Sequence, residues 1–131
     1  MEKVLTIRPA GFADVRGLLA RAAQRGDHTG GTLSIEDACA GAVTWAVEDG
    51  AGRVVMAYAM RQAGGVCWII AAGGDAPGVD LVRSVLPVME RQAKALGCGQ
   101  LAVTTQRGGL VRKLKKNGFE QTAVTLRKAL A

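Results

Sequence analysis

Few side chains in this sequence could do chemistry by themselves, and those few stand far apart. The three cysteines, Cys39, Cys67 and Cys98, make no CxxC pair, and the chain has one histidine, His28, to join them. That number and spacing exclude a zinc ribbon and a disulfide framework and predict three reduced, mostly buried thiols. His28 lies in a glycine-rich stretch, where an imidazole could move a proton near neutrality or simply face solvent. Tyr58, the only tyrosine, falls in an apolar run and is expected as a half-buried strand residue. The remaining reactive potential is charge. Of 17 basic and 11 acidic side chains, the segment from residue 107 onward holds Arg107, Arg112, Lys113, Lys115, Lys116, Arg127 and Lys128 against Glu120 alone. The rest cancels, so the net charge of +6 sits at the C-terminal end. Such a patch, centred on Arg112, Lys113, Lys115 and Lys116, suits an anionic partner (nucleotide, nucleic acid or acidic protein) or forms a solvated helix face. It has no interleaved aromatics, which argues against stacking on single strands.

The elements that must position these groups follow from periodicity and punctuation. With 131 residues, 49% apolar and 21% charged, the chain suits one globular domain, residues 1–131, with a core of its own. Aromatics are only 4%, so aliphatic side chains must fill that core. The absence of a long apolar run and of a signal-like start predicts a cytoplasmic protein with no membrane partner. A strand Val4–Ile7, closed by Pro9, precedes a helix over Ala13–Arg25 with Val15, Leu18, Leu19 and Ala22 on one face. Ser34 is a suitable N-cap for a short second helix. Three strands follow: Val43–Glu48, Arg53–Arg61 after an Asp-Gly turn, and Val66–Ala71 after Gly64-Gly65. The last is apolar on both faces, as in a central strand. A long helix spans Val79–Leu96, bent at Pro87 and stopped by Gly97. A strand Leu101–Thr105, a basic helix Leu110–Lys116 and a closing strand Glu120–Arg127 complete the order β-α-α-β-β-β-α-β-α-β. This predicts an α/β (α+β) domain with a mixed, mostly antiparallel sheet flanked by helices.

That order resembles the GNAT (N-acetyltransferase) superfamily, and so does the segment Leu114-Lys115-Lys116-Asn117-Gly118-Phe119-Glu120 with the strand after it. The resemblance implies an acyl-CoA N-acyltransferase fold and, as cofactor, acetyl-CoA or CoA. It implies transfer of the acyl group to a small-molecule or peptide amine. Backbone groups at Trp68, Ile69 and Ile70 would pair with the cofactor's pantetheine arm, and Gly78 and Val79 would meet its pyrophosphate. Arg107 and Arg112 would lie near its phosphates. The family's phosphate loop is degenerate here: Asp75 and Asp80 replace an expected Gln/Arg and small residue. Two like charges at about 4 Å repel by about 4 kcal/mol at an effective dielectric of 20, half of a micromolar ligand's affinity. Alternatively these acids serve the helix start, where a carboxylate is favourable. Leu114 occupies the position of the family's proton-donating tyrosine and cannot donate. Two readings follow: an N-acyltransferase, or an inactive scaffold that binds an anionic partner through its basic C-terminal region. A homodimer through exposed strand edges is a further expectation.

Overall fold

The structure is a computed structural model that describes residues 5–24, 33–74, 81–105 and 107–130. Among the described residues, five strands form one sheet in the order β1-β2-β3-β4-β5. They are β1 (Thr6–Pro9), β2 (Val43–Glu48), β3 (Val54–Ala63), β4 (Val66–Gly74) and β5 (Gln100–Val103). The first four run antiparallel, and β5 joins β4 in parallel. The helices are α1 (Phe12–Gln24), α2 (Ile35–Ala38), α3 (Leu81–Ala95) and α4 (Gly108–Lys116). None is long and apolar enough to cross a membrane.

The sheet is buried on both faces, and the sequence of β3 shows how. Met56, Tyr58 and Met60 belong to one apolar cluster, with Val85, Leu86 and Met89 of α3 and Leu114 of α4. The intervening Ala57 and Ala59 join Ala46 and Ala71 in the second cluster, under Val15 and Leu19 of α1. Strand side chains alternate between faces, so a large/small alternation gives one deep face and one flat face. The alanine face lets α1 lie close to the sheet. A Cβ placed on Gly73 would stand 2.5 Å from Ala22 Cβ, and one on Gly74 would stand 2.2 Å from the Val55 carbonyl oxygen. We expect Gly73→Ala and Gly74→Ala each to destabilise by about 1–3 kcal/mol through overpacking. Gly17, on α1 with nothing within 4 Å of an added Cβ, should behave oppositely. Its replacement by Ala is expected to stabilise by roughly 0.5–1 kcal/mol, and urea midpoints of the three variants check the contrast.

Local chemistry fixes the connections. The Ser34 hydroxyl accepts from the Asp37 amide at 3.1 Å, capping α2. Asp49 folds the β2–β3 turn: its carboxylate accepts from the Ala51 and Arg53 amides at 2.9 and 3.0 Å, which holds its carboxyl below the usual range. Thr44, the buried polar residue of the described core, donates to the Ala10 carbonyl and ties β1 to β2. Gly118, at φ +91, ends α4, with Phe119 N–H donating back to the Leu114 carbonyl. Only a residue tolerant of positive φ closes a helix in this way.

Four expectations change, one of them the fifth strand, which runs Gln100–Val103 and stops two residues short of Thr105. The first strand begins at Thr6 and runs through Pro9, pairing Thr6 with Glu48 and Pro9 with Trp45; Pro9 fits because β1 is an edge. The fourth strand runs three residues beyond Ala71, to Gly74. The closing strand does not form: residues 119–130 have no regular structure, and 120–130 are exposed throughout. Pro87 lies within α3 without ending it.

Candidate active site

Where β4 and β5 part company, the fold opens. Their register runs from Val66↔Gln100 to Ile69↔Val103 and stops. Beyond it β4 continues through Ile70–Gly74, with Ala71–Gly74 still paired with β3 but, among the described residues, no strand on its other side. The parting coincides with a β-bulge. Ala59 pairs with Ala71 and Met60 with Ile69, so Ile70 is an extra residue on β4. A bulge bends its strand and increases local twist, and this one falls where the β4–β5 ladder stops.

A cavity of about 450 Å³ occupies the opening. Its β4 wall is Ile69, Ala72, Gly73 and Gly74, and the small residues leave the backbone accessible. Val82, Val85, Leu86 and Met89 of α3 face it from one side, and Leu18 and Ala22 of α1 from the other. Val103, Leu110 and Leu114 complete the apolar lining. Two cations also line it, Arg21 of α1 and Arg107 at the start of α4. The Arg107 amide donates to Thr105 Oγ1 at 3.1 Å, which sets the turn into α4. No acid, histidine, tyrosine or hydroxyl side chain stands among the described lining residues. The site can therefore hold an apolar group beside free strand backbone, with anionic groups near the two guanidiniums, but it offers no side-chain proton donor.

The residues singled out from sequence divide by position. Ile69 and Arg107 line the cavity. Trp68 and Ile69 are paired with Ala102 and Val103 of β5, and Ile70 is the first residue past the paired stretch. Arg112, Lys113, Lys115 and Lys116 are exposed on α4, and Arg112 is not part of the lining. Leu114 is buried and lines the cavity. Asp75, Gly78, Val79, Asp80 and His28 lie outside the described residues. Tyr58 is fully rather than half buried, stacked on Trp45 at 5.2 Å and donating to Gln92 Oε1 at 2.7 Å. Burial pushes its phenol up to about 12, so it is a packing residue. The three cysteines are free and buried, and burial raises the thiols of Cys39 and Cys67. Sequence reasoning missed Arg21, Ala72 and the backbone of Gly73–Gly74. A charged residue on an otherwise ordinary helix gives no signal of facing a cavity, and a bulge inside an apolar run leaves none either.

Solved structures supply the comparison. A GNAT family acetyltransferase from Elizabethkingia anophelis with acetyl-CoA bound superposes with a TM-score of 0.71 over 91% of this chain and 78% of that one, at 13% identity. The aminoglycoside N-acetyltransferase AAC(6')-Iy in complex with CoA gives 0.66 over 99% and 97%, also at 13% identity. Glucosamine-6-phosphate N-acetyltransferase from Arabidopsis thaliana gives 0.61 over 98% and 99%, at 14%. The chain has the GNAT fold. No family model and no curated relative matches it, so the likeness is one of GNAT architecture, carried by element order and sheet topology.

Proposed function

We propose that this GNAT-fold protein transfers an acyl group from an acyl-CoA thioester, acetyl-CoA in the simplest case, to an amine. The observation that carries the reading is the parted pair of strands: five residues of β4, Ile70–Gly74, run without a β5 partner beside a 450 Å³ cavity. The residues present fit such a cofactor. An exposed strand edge accepts an extended, amide-bearing chain as it would another strand, and a pantetheine arm is such a chain. The apolar lining receives the acyl end, and Arg21 and Arg107 suit its phosphates. When bound, the thioester supplies an activated acyl carbon.

The chain's own contribution is positioning and backbone electrostatics. Holding amine and thioester at attack distance removes much of the entropic barrier. A backbone N–H at the free edge of β4 can polarise the thioester carbonyl, in the manner of an oxyanion hole. Leu114, buried in the lining, excludes water where the fold's relatives are expected to place a proton donor. Without a side-chain acid or base among the described lining residues, the amine loses its proton to solvent, and solvent likewise protonates the thiolate released as the C–N bond forms and the C–S bond breaks. We therefore expect kcat/KM to rise with pH in a single limb that follows the acceptor amine, with no descending limb below pH 9. A bell-shaped profile would reveal an ionising pair and contradict this mechanism.

Binding is tested by thermal shift. At 100 times its dissociation constant, acetyl-CoA should stabilise the fold by about 2.7 kcal/mol. No shift at millimolar acetyl-CoA or CoA overturns the proposal. Arg21→Gln and Arg107→Gln should each weaken binding about tenfold or more, as expected for loss of a charge-assisted contact.

A further inference from the structure

The cavity has two unlike ends. Because β4 and β5 run parallel, the C-terminal ends of both strands lie together at one end, the mouth, and Arg21 and Arg107 belong to it. Gly73, near the end of β4, packs against Ala22 of α1, the neighbour of Arg21, and Arg107 follows β5 at the start of α4. At the inner end the two strands meet, at their last paired residues, Ile69 and Val103. Helix α3 connects the end of β4 to the start of β5, so it runs back antiparallel to both and carries Met89, on its third turn, inward. Leu114, nearly two turns along α4 from the mouth, shares a buried cluster with Met89.

These ends suit different chemistry. The edge of β4 is free at Ile70–Gly74, where an amide-bearing arm can pair with it, but at Ile69 that edge is already taken by β5. Ile69, Val103, Met89 and Leu114, the described residues at the inner end, carry no side-chain group that hydrogen-bonds strongly. An amide pushed there would lose its water without replacement, whereas hydrocarbon gains with every methylene buried. The α3 wall, Val82, Val85, Leu86 and Met89, follows the i, i+3, i+4, i+7 spacing and so extends for about 10 Å along the helix. That is far longer than the single methyl of an acetyl group. Ile69, Met89 and Leu114 are buried from solvent yet face the cavity, and apolar space of this kind stays dry until an apolar group fills it.

Resting on the acyl-transfer reading above, we propose that the preferred donor is a medium-chain acyl thioester, of butyryl to octanoyl size, rather than acetyl-CoA. The thioester carbonyl lies at the free edge of β4, and the arm and its phosphates keep to the mouth. The alkyl chain runs inward along α3 and ends against Ile69, Val103, Met89 and Leu114. Met89 is the adaptable part of that wall, since an unbranched thioether side chain adjusts to chains of different length.

Calorimetric titration of the full chain with CoA, acetyl-CoA, butyryl-CoA and hexanoyl-CoA tests this. The dissociation constant should fall about fourfold for each methylene added, and on the order of a hundredfold between acetyl-CoA and hexanoyl-CoA. Hexanoyl-CoA that binds no tighter than acetyl-CoA, with CoA itself bound, overturns the inference and leaves the acyl-transfer reading standing. Failure of CoA and every thioester to bind removes that reading and the inference with it. Val103→Phe narrows the inner end and should cut the preference for hexanoyl-CoA over acetyl-CoA at least tenfold. A variant that melts near the wild-type temperature and keeps the full preference places the chain elsewhere and overturns the proposal.

Discussion

Ala72→Trp is expected to abolish stabilisation by acetyl-CoA while leaving the domain folded. Ala72 lies on β4 in the stretch without a β5 partner, and its side chain faces the cavity opposite α3. An indole there fills the space that an acyl group and the end of its arm would occupy. The cost to the fold is small, because the indole enters an existing opening and buries apolar surface against Val82, Val85 and Leu86. Leu110→Trp plugs the same cavity from the α4 wall and guards against a local repacking effect of either variant. Both should show a melting temperature near that of the wild type and no shift with millimolar acetyl-CoA, where the wild type gains about 2.7 kcal/mol at 100 times its dissociation constant. If either tryptophan variant still binds, the acyl group does not enter by this cavity. Lys116→Gln, on the exposed face of α4, should bind normally and serves as the control.

The pattern of what the sequence revealed follows from physics. Strands β2 to β4 were legible as short apolar runs bounded by turn residues, the pattern of strands buried on both faces, and both long helices by their 3.6-residue apolar period. Glycine and Asp-Gly punctuation placed the turns at Asp49 and Gly64. The site was legible only through resemblance. Its decisive feature is the length difference between β4 and β5, which begins beside a bulge at Ile70 inside an unbroken apolar run. Backbone hydrogen bonding left unmade has no residue type of its own, so no motif announces Ile70–Gly74. The closing strand failed for a related reason. Thr122 to Arg127 carries a sound strand pattern, but a pattern states only that a segment can pair. Whether a partner edge is within reach is a property of the whole fold.

The same distinction separates Tyr58 from catalysis and gives it a measurable role. Its ring is fully buried between Trp45 and the α3 face, and its hydroxyl donates to Gln92. Tyr58→Ala should cost about 3–5 kcal/mol, as expected for loss of a buried aromatic, and Tyr58→Phe about 0.5–1.5 kcal/mol for the hydrogen bond. Burial favours the neutral phenol, so the folded-state pKa of about 12 lies above the ordinary value of 10.0. Below pH 10 both states are protonated and this stabilisation is complete. Between pH 10 and about 12 the unfolded chain releases the proton first, so stability falls as pH rises. The loss is on the order of 1–2 kcal/mol after allowance for solvent screening. Tyr58 is the only tyrosine, so ultraviolet absorbance of the tyrosinate follows this one residue directly. Ionisation near pH 10 in the folded protein would show the ring open to water. An alkaline stability loss of equal size in Tyr58→Phe would assign that loss to other groups, and its absence in that variant is the expected result.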